Sequence, residues 1–151
     1  GHLPWEDLER IANRADVLLY DLKVMESRRH LEYAGVDNDL ILSNIERLAE
    51  LRVDENLVLD ILIRVPVIPG INDHDDNFER LGVFLSGLPG ERLPVDLLPF
   101  QRLGEPKYEA LDLPNRMAGL LPPDDDEVHR FADIVRSYGC TVTVRGVHHE
   151  S

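Results

Sequence analysis

The sequence predicts an α/β domain built on about four mainly parallel strands with helices between them. Two observations predict it. The hydrophobic pattern switches repeatedly between the helical period and short, continuously apolar runs. Those runs lack the in-out alternation of a sheet with one wet face, as expected of strands buried on both sides in a parallel sheet. No repeat of 20–50 residues and no low-complexity tract competes with this reading.

The elements follow in order. Pro4 to Ala15 reads as a helix, with Pro4 at its start and Trp5, Leu8, Ile11 and Ala12 on one face. Val17 to Tyr20 is a short strand that runs into Asp21-Leu22-Lys23. Asn38 to Leu51 is a helix that Asp37 or Asn38 can cap, with Leu40, Ile41, Ile45 and Leu48 as its apolar stripe. Leu57 to Val67 is the most strand-like stretch, and pairing is expected to fade at Pro66, which has no N–H to donate. Pro69-Gly70 makes a turn, and Phe78 to Leu88 is the next helix. Val95 to Phe100 is a third strand, followed by a loop from Gln101 and a Pro-rich connection from Pro114 to Pro123. The acids Asp124 to Glu127 suit a helix N-terminus, and that helix runs to Tyr138 before Gly139. Thr141 to Val144 is the last strand, inside a domain expected over 1–147, and 148–151 is a flexible tail. The order is α-β-α-β-α-β-α-β, which fits both a doubly wound sheet and a segment of a βα barrel.

Composition narrows the function. The 151 residues are 43% hydrophobic and 30% charged, ordinary for a globular domain. No apolar run approaches the roughly 20 residues of a membrane helix, so neither membrane insertion nor a signal peptide is expected, and the protein reads as cytoplasmic. A net charge of 16 minus 29, or −13, opposes binding to phosphate backbones, so no nucleic-acid partner is expected. Cys140 is the single cysteine, which excludes an intrachain disulfide and a cysteine-held cluster built from this chain alone.

In either fold, function gathers at the C-terminal ends of the strands. There stand Asp21 and Lys23 after the first strand, Arg64 in the second, and Gln101 after the third. Lys23 and Arg64 are cations suited to a carboxylate or phosphate. Asp21 can balance Lys23, bind a cation, or hold an amine or hydroxyl. A structural Asp21–Lys23 pair with no further role is the competing reading. Asp73 to Asp76 could ligate a metal but reads better as a solvated turn that caps a helix. His30 and His129 are expected at helix surfaces, and Cys140 as a buried small hydrophobe. His148-His149 falls in the tail, and no P-loop, GxSxG or GxGxxG is present.

Four segments at these strand ends carry a more specific resemblance. Leu19-Tyr20-Asp21-Leu22-Lys23 resembles the YDLK signature of glycyl-radical-enzyme activating enzymes, the pyruvate formate-lyase activating enzyme family. Tyr33 to Asn38 resembles their YTGVDN segment, with Ala34 for Thr. Ile63 to Asp73 resembles IRxPVIPGxND. Leu97 to Gly104, followed by Lys107-Tyr108, resembles LLPYHxLGxxKY, with Phe100 for Tyr and Gln101 for His. Gly1 to Glu6 is similar to the stretch after the family's Asp-Thr-Ser/Cys-Gly motif.

The resemblance implies the C-terminal half of a radical-SAM (βα)₆ barrel. In that family a CxxxCxxC motif holds a [4Fe–4S] cluster that binds S-adenosylmethionine (SAM). An electron from the cluster cleaves SAM to methionine and a 5′-deoxyadenosyl radical. The radical then takes a hydrogen atom from a backbone glycine of a partner such as pyruvate formate-lyase. Flavodoxin or ferredoxin is the implied electron donor. Lys23 and Arg64 match positions that contact SAM, and Gln101 matches a third contact, keeping hydrogen bonding without charge. Asp21 matches a position that binds a monovalent cation beside SAM, here a half site. The chain has no CxxxCxxC, so the cluster belongs to a longer parent and the chain is expected to be inactive alone. A cut barrel would also expose strand edges and favour self-association. Against the enzyme fragment stands a non-catalytic, degenerate half-barrel serving as a binding module.

Overall fold

The computed structural model describes residues 2–54, 57–101 and 119–145. Its elements are α1 (Trp5–Ala12), β1 (Val17–Asp21), α2 (Ser27–Ala34), α3 (Asp39–Asp54), β2 (Asp60–Val67), α4 (Asp75–Gly87), β3 (Val95–Pro99), α5 (Asp125–Ser137) and β4 (Val142–Val144). The four strands form one sheet in the order β1-β2-β3-β4, and every pairing is parallel.

That order separates the two folds left open by the sequence. A doubly wound sheet reverses its strand order and carries helices on both faces. Here the order is sequential, and crossovers of one hand then put every helix on the same side. The core agrees. Leu8 and Ala12 of α1, Ile45 and Leu48 of α3, Phe78 and Leu81 of α4, and Phe131 and Val135 of α5 form one cluster with Tyr20, Ile61, Ile63, Val65, Val67, Val95, Leu97 and Val142. These strand residues alternate with Leu19, Asp21, Leu62, Arg64, Pro66, Asp96 and Leu98, which therefore point to the other face. Among the described residues no helix covers that face, and Leu19 is 50% exposed on it. The architecture is a segment of a barrel, with its inner face open among the described residues.

The outer layer is held by aromatic packing and caps. Phe78 and Phe131 stack with ring centroids 4.4 Å apart and join α4 to α5. Such a stack contributes about 0.5–1.5 kcal/mol beyond area burial. Asp124 caps α5 by accepting from the Asp126 N–H at 2.8 Å. Asp37 accepts from the Asp39 N–H at 3.2 Å as α3 begins, while Asn38 turns inward.

Four details differ from the sequence reading. Helix α2 is additional. Only His30 of its eight residues is buried, so it has no apolar stripe to read. His30 itself is 4% exposed rather than at the surface, with Nδ1 2.7 Å from the Val36 carbonyl oxygen. Pairing fades at Pro66 on one side only: the β1–β2 register ends at Asp21 and Arg64, while pairing of β2 with β3 runs through Pro66 to Val67. Alternation along β2 explains this. Arg64 accepts from the Leu22 N–H on the β1 side, whereas Val67 accepts from the Phe100 N–H on the β3 side. Pro66 therefore faces β1, which has already ended at Asp21, and its missing N–H breaks no rung to β3. Finally, β1 runs one residue beyond Tyr20, to Asp21, and Lys23 lies past its end.

Candidate functional site

The C-terminal strand ends bring Asp21, Lys23, Arg64 and Gln101 to one rim of the sheet. Asp21 closes β1 and is the register partner of Arg64 in β2. Residues directly opposite in a parallel pair share a face, so both stand on the open inner face. Arg64 donates from Nε at 2.8 Å and from Nη2 at 2.7 Å, both to Asp21 Oδ1. Asp21 Oδ2 has no hydrogen-bond partner among the described residues. The pair is half-exposed, with side chains 41% and 35% accessible. Asp21 is thus matched with Arg64, not with Lys23.

Lys23 lies two residues past β1, exposed, and its ammonium meets no acid among the described residues. Gln101 is exposed two residues past β3, after the Phe100 N–H has donated to the Val67 oxygen at 2.9 Å. Leu103, Gly104, Lys107 and Tyr108 of the fourth motif segment lie outside the described residues, as do His148 and His149.

The structure adds two residues that sequence reasoning missed. Asp96 is the register partner of Arg64 on β3, and it pairs with Arg145 beyond β4. The four side chains make a row across the inner face: Asp21, Arg64, Asp96, Arg145. Asp96 is 3% exposed, and a buried carboxylate needs a charged partner of this kind. An acid flanked by Val95 and Leu97 in a buried strand was the available signal.

Other candidates resolve as structure. His74 caps α4, its Nδ1 accepting from the Asn77 N–H at 3.2 Å. No set of three or more metal-ligating side chains occurs among the described residues. Cys140 is 5% exposed just before β4, at the end of the sheet opposite the rim. Burial pushes its thiol pKa up, partly offset by the Arg92 charge. A buried thiol at the wrong end of the sheet cannot ligate a cluster at the rim. The rim's donor set does suit a zwitterionic amino-acid group: two cations for a carboxylate, and a carboxylate oxygen for an amine or cation.

A sequential parallel sheet, covered by helices on one side and charged on the other at its strand ends, defines a barrel-type βα domain. Comparison with known proteins makes this specific. No family model matches the chain. It is 33% identical over 138 residues to the indoleacetate decarboxylase activating enzyme of Tractidigestivibacter scatoligenes, covering 91% of this chain and 41% of that one. It is 39% identical over 118 residues to the (2S)-3-sulfopropanediol dehydratase activating enzyme of Klebsiella oxytoca, covering 77% and 35%. Among solved structures it superposes with TM-score 0.72 on a domain of pyruvate-formate lyase-activating enzyme from Bacteroides vulgatus, at 28% identity, covering 93% and 74%. A radical SAM methyltransferase from Sphaerobacter thermophilus shares the fold, at TM-score 0.66 and 21% identity. The homologues of this chain are glycyl-radical-enzyme activating enzymes, and it matches the C-terminal part of that family. The chain spans about two fifths of the length of the curated relatives it matches.

Proposed function

We propose that the chain is the C-terminal part of a radical-SAM activase whose rim binds the amino-acid end of SAM. The observation that supports this reading is the Asp21–Arg64 pair on the inner face of a barrel segment, with Lys23 exposed two residues past β1. Lys23 and Arg64 hold the SAM carboxylate. Asp21, whose Oδ2 has no partner among the described residues, supplies half of a monovalent cation site beside it, and Gln101 hydrogen-bonds SAM from the segment after β3. With a [4Fe–4S] cluster and SAM bound, the chemistry supplied is one-electron cleavage of SAM, ending in removal of a hydrogen atom from a glycine of a partner enzyme.

Supporting the view of a larger parent are the single buried cysteine, the two-fifths coverage of the relatives, and the open inner face. The cluster is then bound outside this chain, which alone is inactive. The partner is a glycyl radical enzyme of the pyruvate formate-lyase type, and a flavodoxin- or ferredoxin-type protein supplies the electron. The protein works in the cytoplasm.

Calorimetric titration of SAM into the intact, cluster-reconstituted protein tests the reading. Lys23→Ala and Arg64→Ala are each expected to weaken binding at least about tenfold, the scale of losing one charged hydrogen bond. Affinity unchanged in both variants would remove the rim from the SAM site and favour a non-catalytic binding module.

A further inference from the structure

The Tyr33–Asn38 and Ile63–Asp73 segments hold two buried asparagines that touch no charged group of the rim. Their contacts converge on the loop that carries Lys23. Asn72 is fully buried, and its Nδ2 donates to the Lys23 oxygen at 2.7 Å and to the Pro66 oxygen at 2.6 Å. Its Oδ1 accepts from the Ile68 N–H at 2.7 Å. Asn38, 2% exposed, donates to the Val24 and Met25 oxygens, both at 3.0 Å. Asn77, 2% exposed, accepts from the Met25 N–H at 2.9 Å. Backbone groups of Lys23, Val24 and Met25 are thus taken by side-chain amides from three separate segments.

The ladder explains why amides are needed. The β1–β2 ladder runs as far as the Leu22 N–H to Arg64 oxygen bond at 2.9 Å. The next rung would need an N–H from Pro66, which has none. Beyond it, the Lys23 and Pro66 carbonyls would be left in the interior without donors, at about 1–3 kcal/mol each. The two N–H bonds of a single carboxamide reach both. Asn72 thereby ties the Lys23 backbone to a point on β2 two residues past Arg64.

We propose that Asn72 is a positioning residue for ligand binding. It bridges the two backbones past the rung that Pro66 cannot make and sets Lys23 at a fixed distance from Arg64, so that the two cations are preorganised for one anionic group. Asn72 acts through Lys23 and does not touch the ligand. The inference rests on the SAM-binding reading of the rim. The chemistry also explains the residue type. Asp would turn a carboxylate toward two carbonyl oxygens, and Ala would supply neither donor nor acceptor.

A double-mutant cycle on SAM affinity in the intact protein tests it. Cys140→Ala serves as control, because Cys140 is also buried but lies just before β4, at the end of the sheet opposite the rim. Asn72→Ala is expected to weaken SAM binding at least about tenfold, Cys140→Ala less than about twofold. In a Lys23→Ala background the Asn72→Ala penalty should shrink to less than about threefold, because its route to the ligand is gone. Should Asn72→Ala not fold, Asn72→Ser, which keeps one donor, takes its place with a smaller loss and the same non-additivity. Wild-type affinity in a folded Asn72 variant, or an equal penalty with and without Lys23, would overturn the proposal. Absence of SAM binding by the wild type would instead overturn the reading beneath it, and the proposal with it.

Discussion

Tyr20 shows how much a single side chain on the helix-covered face contributes. It is 3% exposed, and its hydroxyl donates to the Ile41 oxygen at 2.9 Å, fastening β1 to α3. Burial pushes its phenol up to about 12, with an opposing hydrogen bond from Asn44. A folded-state pKa above the unfolded value of about 10 stabilises below that pH, and the contribution is lost as pH rises through 12. Tyr20→Phe is expected to cost roughly 0.5–1.5 kcal/mol at neutral pH, from the lost hydrogen bond. Urea melts at several pH values should show the gap to wild type closing as pH rises from about 10 to 12. A constant gap would contradict the assignment. At this scale the sequence was legible where charge met a strand end, as at Asp21, Lys23 and Arg64. Asp96 and Asn72 were not legible as partners of the rim, because their contacts join residues 49 apart, Asp96 to Arg145 and Asn72 to Lys23. Local patterning carries no information about such pairs.

Secondary elements were legible wherever burial imposed a period. Helices α1, α3, α4 and α5 each bury a regular set of side chains, and all four appeared in the pattern. Helix α2 did not, because it buries one residue and leans on hydrogen bonds at its ends. Pro66 ended pairing on the β1 side but not on the β3 side. A proline stops a strand only on the side its nitrogen faces, and that side follows from register, which sequence does not show. Packing between elements yields a further prediction. A Cβ added at Gly82 on α4 would fall 2.1 Å from Tyr138 Cδ2 and 2.6 Å from Cγ. Gly82→Ala should therefore destabilise by roughly 1–3 kcal/mol through overpacking, despite the better helix propensity of alanine. The penalty should largely disappear in a Tyr138→Ala background. Chemical denaturation of the four-protein set checks both statements, and a stabilised Gly82→Ala would contradict the close α4–Tyr138 contact.

The whole sheet was half legible. Alternating periods implied parallel strands joined through helices, but not whether strand order reverses. The observed order β1-β2-β3-β4, with one covered face, decides for a barrel segment. Among the described residues β1 pairs only with β2, and Val17 and Leu19 stand 56% and 50% exposed on its open face. An unpaired edge beside an apolar face invites association. The isolated 151-residue chain is expected to show a mass above its monomer value of 17.2 kDa in concentration-dependent light scattering. A monomer up to high concentration would count against the open face. The proposed function requires the intact protein to cleave SAM. Its most direct test incubates the intact, cluster-reconstituted protein with SAM and a one-electron reductant, then measures 5′-deoxyadenosine and methionine by chromatography. Equal amounts of both products, falling at least about tenfold in Lys23→Ala and Arg64→Ala at limiting SAM, are the result expected. SAM left intact by a protein carrying its full cluster would contradict the account.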